Sequence, residues 1–268
     1  IKANNALCPQ VSQALGLNYL QHFVFETYAR HLMYKWACDI DGEHFLSLCP
    51  PNIKPQLIGY IGGEAGTGKS AVISALLTLS LLWGRRNTIE TMAYMGLAGL
   101  NVEGDTIHSH RGLSIGLTFR PCARVEDGVR SIYLSIIDEI SMVPQALLGM
   151  GDIITRQIRR STKPWAGVHC MLTGDWLQLP PTGGRLVFQE SDDAHPKETT
   201  QAALALWKNC NFKVILQDNM RQKDDLQYSK ILRRNHWGMM SQDDIDILNR
   251  TCFIGNYQAR PISKANDS

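Results

Sequence analysis

The sequence is short of net charge. Lys and Arg number 27 against 25 Asp and Glu, which leaves +2. That is too little to argue for or against a polyanionic partner, so any basic surface has to come from local clustering. Cysteine supplies no framework. Cys8, Cys38, Cys49, Cys122, Cys170, Cys210 and Cys252 are scattered, odd in number and form no C-x-x-C. This argues against a zinc site and a disulfide scaffold, and it suits a reducing compartment. No apolar run is long enough to cross a bilayer, so no membrane partner is expected. Internal repeats and low-complexity tracts are absent. There is no initiator Met: the chain opens at Ile1 and is read as an internal piece of a longer protein, whose targeting signals it does not show.

What is present is a chain of 268 residues with an ordinary globular composition, long enough for a sizeable core. One stretch organises it. Gly63-Glu64-Ala65-Gly66-Thr67-Gly68-Lys69-Ser70 fits G-x-x-x-x-G-K-[ST], the loop that cradles phosphates. An apolar run over residues 56–61 predicts a buried strand before it. Residues 69–83 predict an apolar helix after it, stopped by Gly84. Strand, glycine loop and helix aim backbone N–H groups and the positive helix end at a phosphate. Lys69 is expected to reach the β- and γ-phosphates of ATP, and the Ser70 hydroxyl to hold Mg²⁺.

Residues 1–16 show little pattern. From there Leu20, Val24, Tyr28, Leu32 and Trp36 recur at helical spacing, with Asn18 at the N-cap and Gln21 placed to close a capping box. Further strands are predicted over 88–93, 131–137 and 168–173, with 113–130 hard to assign. Pro144 suits the first turn of a helix carrying Leu147, Leu148, Ile153, Ile154 and Ile158. Helices over 201–208, 224–235 and 242–249 and a strand over 212–216 complete the reading. Strands alternating with helices imply an α/β fold on a parallel sheet, whose ligands bind beyond the carboxyl ends of the strands.

Two more motifs follow strand ends. Ile136-Ile137-Asp138-Glu139 runs an apolar strand into two carboxylates, as in a Walker B element. Asp138 would hold Mg²⁺ through water, and Glu139 would orient and deprotonate the attacking water. Gly174-Asp175-Trp176-Leu177-Gln178-Leu179-Pro180-Pro181 follows the next strand, and Gln178 there can bond the γ-phosphate and report its loss.

In the order and wording of these motifs the chain resembles the petite-integration-frequency (Pif-type) DNA helicases of superfamily 1, relatives of RecD and of Helitron-transposon helicases. Leu17-Asn18-x-x-Gln21 resembles their adenine-reading Q motif. Gly96-Leu97-Ala98-Gly99 and Gly104-Asp105-Thr106-Ile107-His108-Ser109 resemble the DNA-contacting motifs Ia and Ib. Asp138-Glu139-Ile140-Ser141-Met142 is similar to motif II, the Gly174–Pro181 stretch to motif III, and Asn219-Met220-Arg221-Gln222 to motif IV. Tyr94-Met95 stands where the family has Pro-Thr, and Trp176 where it has Phe. The chain stops before motifs V and VI.

The resemblance implies a RecA-like P-loop ATPase domain over residues 1–205 and the start of a second RecA-like domain over 206–268. It implies ATP-dependent 5′-to-3′ translocation on single-stranded DNA, with ATP and Mg²⁺ as cofactors and single-stranded and forked duplex DNA as partners. The setting would be repair, recombination, telomere maintenance or a transposon. A monomer inside the cell is expected, in the nucleus or mitochondrion if the source is eukaryotic. Arg221 would reach the γ-phosphate, where such an arginine finger is worth on the order of 10³-fold or more. DNA contacts would come from Gly96, Thr106, His108 and Trp176, with Trp165 as another stacking candidate. Arg156, Arg159, Arg160 and Lys163 form a basic run read first as a solvated helix end. Two rival readings are a general P-loop ATPase that remodels proteins and a transposon-derived remnant without turnover. With motifs V and VI beyond Ser268, the chain alone is expected to bind ATP weakly and to respond little to DNA.

Overall fold

A computed structural model of the chain describes residues 7–41, 53–96, 104–220 and 225–251. These separate into two compact units, residues 1–218 and 219–268.

In the first unit, helices α1 (Leu7–Ala14) and α2 (Tyr19–Asp41) precede strand β1 (Ile58–Gly62) and helix α3 (Lys69–Leu82). Strand β2 (Ile89–Ala93), the short β3 (Asp105–Thr106) and helices α4 (Ile107–Arg111) and α5 (Ala123–Ser131) come next. Strand β4 (Leu134–Asp138), helix α6 (Gln145–Arg159), β5 (His169–Gly174), α7 (Glu198–Lys208) and β6 (Phe212–Ile215) complete it. The strands form one sheet in the order β3-β2-β4-β5-β1-β6, and every pairing is parallel.

The central strands are apolar throughout because both faces are covered. Along β4, Ile136 and Ile137 point to opposite faces and enter two different cores. One core packs Val24, Phe25, Leu32 and Trp36 of α2 against Ile73 and Leu76 of α3. The other packs Ile107, Val129, Leu147, Leu148 and Leu206 from α4, α5, α6 and α7. The predicted strands and helices are therefore present, with the ends of the predicted ranges displaced by at most three residues.

Several expectations need correction. Residues 7–14, patternless in sequence, form α1, whose Cys8 and Val11 are buried. Residues 131–133 do not extend β4, since Ser131 ends α5. Within 113–130 a bridge pairs Leu113 with Phe119 before α5 begins. Pro144 is the N-cap of α6, with an extended ψ of 138°, and not its first helical residue. The expected domain boundary at 205/206 falls inside α7, and β6, assigned above to a second domain, pairs with β1 in the first sheet.

Beneath the sheet lies a network that the sequence reading did not anticipate. Arg111 of α4 is fully buried and pairs with Glu90 of β2. It also donates to Thr155 Oγ1 (3.0 Å) and stands 5.2 Å over the Trp165 ring. Trp165 Nε1 donates to Ser135 Oγ (2.7 Å), which donates to Glu90 Oε1 (2.6 Å). Burial alone would raise the Glu90 carboxyl, but the Arg111 guanidinium holds it well below the usual carboxylate range. Trp165 is 0% exposed, which removes it as a surface for stacking on a base.

The second unit contains α8 (Leu226–His236) and α9 (Gln242–Thr251). Ser241 caps α9: its Oγ accepts from Asp244 N (3.2 Å), and an Asp244 carboxylate oxygen accepts from Ser241 N (3.0 Å). Asp225 caps α8, accepting from Tyr228 N (2.9 Å), and the helix begins two residues later than predicted.

Gly149 and Gly128 show that one residue type can carry two opposite meanings. Both lie inside helices, α6 and α5, where Gly costs roughly 1 kcal/mol against Ala. A Cβ on Gly149 would lie 1.8 Å from the Thr199 carbonyl of α7, whereas nothing lies within 4 Å of one on Gly128. Gly149→Ala is therefore expected to destabilise the protein by about 1 kcal/mol or more and Gly128→Ala to stabilise it by about 0.5–1 kcal/mol. Thermal unfolding of the two variants beside the parent decides it, and equal shifts would refute the contact.

Candidate nucleotide site

The loop after β1 is shaped by its glycines. Gly63, Gly66 and Gly68 have φ of 153°, 87° and 82°. A Cβ on Gly68 would meet Gln21 Nε2 at 2.2 Å, and one on Gly63 would meet Thr67 Oγ1 at 2.5 Å. Gly68 caps α3 with no side-chain acceptor, and Ala71 N already donates to Gly68 O (3.1 Å), so the Lys69 and Ser70 N–H groups are the ones open to an anion. Lys69 is buried at 9% exposure, and its ammonium donates to Gly63 O (2.7 Å) and Glu64 O (3.3 Å). Thr67 Oγ1 donates to Glu64 O (2.8 Å), Ala65 is exposed, and Ser70 is exposed on the first turn.

Gln21 does two things at once. Its Oε1 accepts from Asn18 N while its backbone N–H donates to Asn18 Oδ1, both at 2.9 Å. This is the reciprocal capping box predicted from the sequence. Its Nε2 then donates to Thr67 O (2.9 Å), which ties the start of α2 to the glycine loop across 46 residues.

The carboxylates arrive from β4. Asp138 ends that strand at 6% exposure, and its Oδ1 accepts from Thr173 Oγ1 and from Glu139 N (3.0 Å). Thr173 was missed in the sequence. Its only signal there is a hydroxyl at the last polar position of an apolar strand. Glu139 sits in the left-handed region at φ 50°, a conformation that costs a non-glycine residue energy and recurs at functional sites. Burial, then the neighbouring Asp138, push the Glu139 carboxyl above its ordinary 4.5, with Lys69 opposing them. Glu139 thus lies within electrostatic reach of Lys69, although the two motifs are 70 residues apart in sequence. Ser141 Oγ, two residues on, is buried with no hydrogen-bond partner among the described residues.

From β5, Asp175 accepts from Gln178 Nε2 (3.2 Å) and from Leu177 N (3.1 Å). Trp176 is half-buried and stacks on Tyr60 (5.3 Å between centroids) beside Phe188 and Trp207. The other nucleic-acid candidates lie near the end of β2. Thr106 caps α4 by accepting from Ser109 N (3.1 Å), His108 is half-buried 6.5 Å from the Tyr94 ring, and Gly96 is exposed. Arg156 pairs with Asp152 (2.8 Å), and Arg159 donates to the carbonyls of Val129, Arg130 and Ile132, so half of the basic run has structural work. Arg221 lies outside the described residues.

The loop and the carboxylates fit ATP and Mg²⁺. An open helix end, a buried lysine and an exposed Ser70 hydroxyl face phosphate chemistry, and Asp138 and Ser70 are hard oxygen donors of the kind Mg²⁺ takes. Among the described residues no group of His, Cys, Asp or Glu forms an all-protein metal site.

The sequence matches the PIF1-like helicase family over residues 52–253. It is 32% identical over 214 residues to the ATP-dependent DNA helicase PIF5 of Trypanosoma brucei brucei, covering 70% of this chain and 23% of that protein. The crystal structure of Pif1 helicase from Candida albicans superposes with a TM-score of 0.63 at 24% identity, over 87% of this chain and 47% of that one. Bacteroides Pif1 bound to single-stranded DNA gives 0.59 at 25% identity, over 73% and 46%. The fold is therefore the RecA-like α/β fold, and the chain spans about a quarter of that curated relative and about half of those solved chains.

The raised carboxyl makes a pH prediction. Between 4.5 and the higher folded value, native Glu139 still holds a proton that the unfolded chain has released. Stability therefore falls as pH rises through that window and stays lower above it. Glu139→Gln cannot titrate, so it is expected to melt above the parent at pH 7, with the gap closing below pH 4.5. A gap that does not change with pH would show that Glu139 is not held against its charge.

Proposed function

The chain belongs to the PIF1-like helicase family, and on that premise we propose that its first unit is the ATP-hydrolysing half of a DNA helicase motor. The observation that carries the reading is the parallel register of β4, β5 and β1, which brings the Lys69 loop and the Asp138-Glu139 pair out at the same edge of the sheet, within electrostatic reach of each other. A phosphate cradle supplies binding, and an adjacent carboxylate with a raised pKa supplies a base.

In this reading the first-turn N–H groups of α3 and the Lys69 ammonium bind the β- and γ-phosphates. Ser70 and Asp138 hold Mg²⁺, which would neutralise charge developing on the phosphates. Thr173 fixes one oxygen of Asp138, and the other would be left to hold the metal through water. Glu139 orients a water and takes its proton, for which a carboxyl held above 4.5 is better matched to neutral pH than an ordinary one. Gln178, held by Asp175, reports on the γ-phosphate, and Arg221 supplies a further positive charge to it. Gln21 carries the loop's position into α2 and is also the residue placed to read the base.

Single-stranded and forked duplex DNA are the proposed partners. Gly96, Thr106 and His108 near the end of β2, and Trp176 after β5, are the proposed contacts. The solved Bacteroides relative bound to single-stranded DNA supports this. Translocation would be coupled to hydrolysis in the 5′-to-3′ sense in the whole protein, with the second unit as the start of the other RecA-like half and Arg221 on it. Genome maintenance inside the cell is the setting that fits such an activity.

Two substitutions separate the roles. Lys69→Ala is expected to abolish ATP hydrolysis in a protein that still folds, read by circular dichroism and phosphate release. Undiminished turnover would remove the loop from the mechanism. Glu139→Gln is expected to keep ATP–Mg²⁺ affinity and to lose about 10²-fold or more in rate. A loss of affinity instead would make Glu139 a metal ligand and not a base.

A further inference from the structure

The strand that feeds the glycine loop carries an aromatic ring that the roles above leave unused. Tyr60 of β1 is 6% exposed, and its ring stacks on Trp176 at 5.3 Å between centroids and 24° between planes. We propose that Tyr60 is a positioning residue, whose stack on Trp176 holds the Asp175–Gln178 turn beside the glycine loop and so sets the preference for a nucleoside triphosphate over a diphosphate. This role rests on Gln178 meeting a γ-phosphate, as proposed above.

The ring lies along its own strand toward the loop. A Cβ on Gly62, two residues on and on the same face, would meet Tyr60 Cε1 and the hydroxyl oxygen, each at 2.9 Å. Gly62 thus clears the path by which the side chain reaches the end of β1. There the hydroxyl donates to Gly174 O (3.3 Å), and Gly174 is the residue that pairs with Gly62 between β1 and β5. That bond is long for an O–H donor, so the ring contact is the stronger hold. Burial first, then the Asp175 carboxylate, push the Tyr60 hydroxyl well above its ordinary value, and it stays a neutral donor.

What the ring holds is a turn with its own internal bonds. Gln178 N donates to Asp175 O (3.1 Å), while Gln178 Nε2 and Leu177 N donate to the Asp175 carboxylate (3.2 and 3.1 Å). The turn therefore moves as a unit. Leu177 and Leu179 are 51% and 67% exposed, which leaves Trp176 as the apolar side chain that anchors it. Phe188 and Trp207 meet Trp176 edge-to-face at 4.9 and 5.5 Å, but of its three ring partners Tyr60 alone belongs to the strand that feeds the glycine loop. The carboxylate turn closes on the same spot: a Cβ on Gly174 would lie 3.0 Å from Ile140 N, next to Glu139. A displaced Trp176 would carry Gln178 away from a γ-phosphate and leave the loop's hold on the other phosphates unchanged.

The test reads equilibrium binding and needs no turnover. The 268-residue protein is titrated by calorimetry with Mg²⁺–ADP and with the Mg²⁺ complex of adenylyl imidodiphosphate, an ATP analogue that resists hydrolysis. Tyr60→Leu keeps an apolar side chain and loses the stack. It is expected to lower the preference for the triphosphate analogue about three- to tenfold, the factor that a lost aromatic stack corresponds to, with ADP affinity unchanged. Tyr60→Phe keeps the ring and should keep the parent's preference. Trp176→Leu removes the other half of the stack from a half-buried position and should match Tyr60→Leu, so either variant decides if the other does not fold. Gln178→Ala should lower the preference as well, and adding Tyr60→Leu to it should lower it no further. Equal losses for both nucleotides, an unchanged preference in a folded leucine variant, a Tyr60→Phe loss as large as that of Tyr60→Leu, or additive losses in the double variant would overturn the proposal while leaving the ATP site standing. A parent that binds neither nucleotide, binding that survives Lys69→Ala, or a silent Gln178→Ala would overturn the reading of the site itself, and this role with it.

Discussion

A parallel sheet sends all its strands' carboxyl ends to one edge, and this constraint governs the rest of the molecule. Here the register is tight: Ile61 lies beside Thr173, Gly62 beside Gly174, and Ile137 beside Leu172. The glycine loop, the Asp138-Glu139 pair and the Asp175 turn therefore leave the sheet at nearly one level. Chemistry drawn from residues 63 to 178 is assembled by backbone hydrogen bonds alone, before any side chain acts. The hydrogen bond from Thr173 to Asp138 then couples two adjacent strand ends directly.

The Glu90–Arg111 pair is the costly element of this arrangement. Two buried charges rarely gain more than an apolar pair would, but losing either partner leaves the other stranded. The pair is nevertheless fully satisfied here, through Ser135, Thr155 and the Trp165 ring. What it fixes is the seat of α4, the short helix that carries Thr106 as its cap and His108 on its first turn. An apolar contact would allow that helix to slide, whereas a guanidinium fork on a carboxylate admits few geometries.

The parts of the molecule legible in sequence were those encoded locally. The glycine loop is a set of backbone conformations and one lysine in eight residues, and the Asn18–Gln21 box is a reciprocal bond over four. The buried strands were legible because both faces are apolar. Misreadings arose where neighbours are distant. Trp165 looks like a surface aromatic until Ser135 and Arg111 are beside it. Glu90 breaks an apolar strand for a partner 21 residues on. The boundary was placed too early because β6 is an edge strand with alternating burial. The strand itself is read from its sequence, and only its pairing with β1 shows which sheet it joins. Arg221, the residue with the longest inferred reach, lies outside the described residues.

Gly149 has a consequence of a mechanical kind. With no side chain there, the backbone of α6 rests directly on the Thr199 carbonyl at the start of α7. Contacts between backbones have no rotamers to absorb strain, so the two helices form a stiff strut, not a cushioned joint. The strut runs from Pro144, just after the Asp138-Glu139 turn, to Lys208, four residues before β6. The turn that carries the carboxylates and the edge strand β6 are thereby joined through two helices in direct backbone contact.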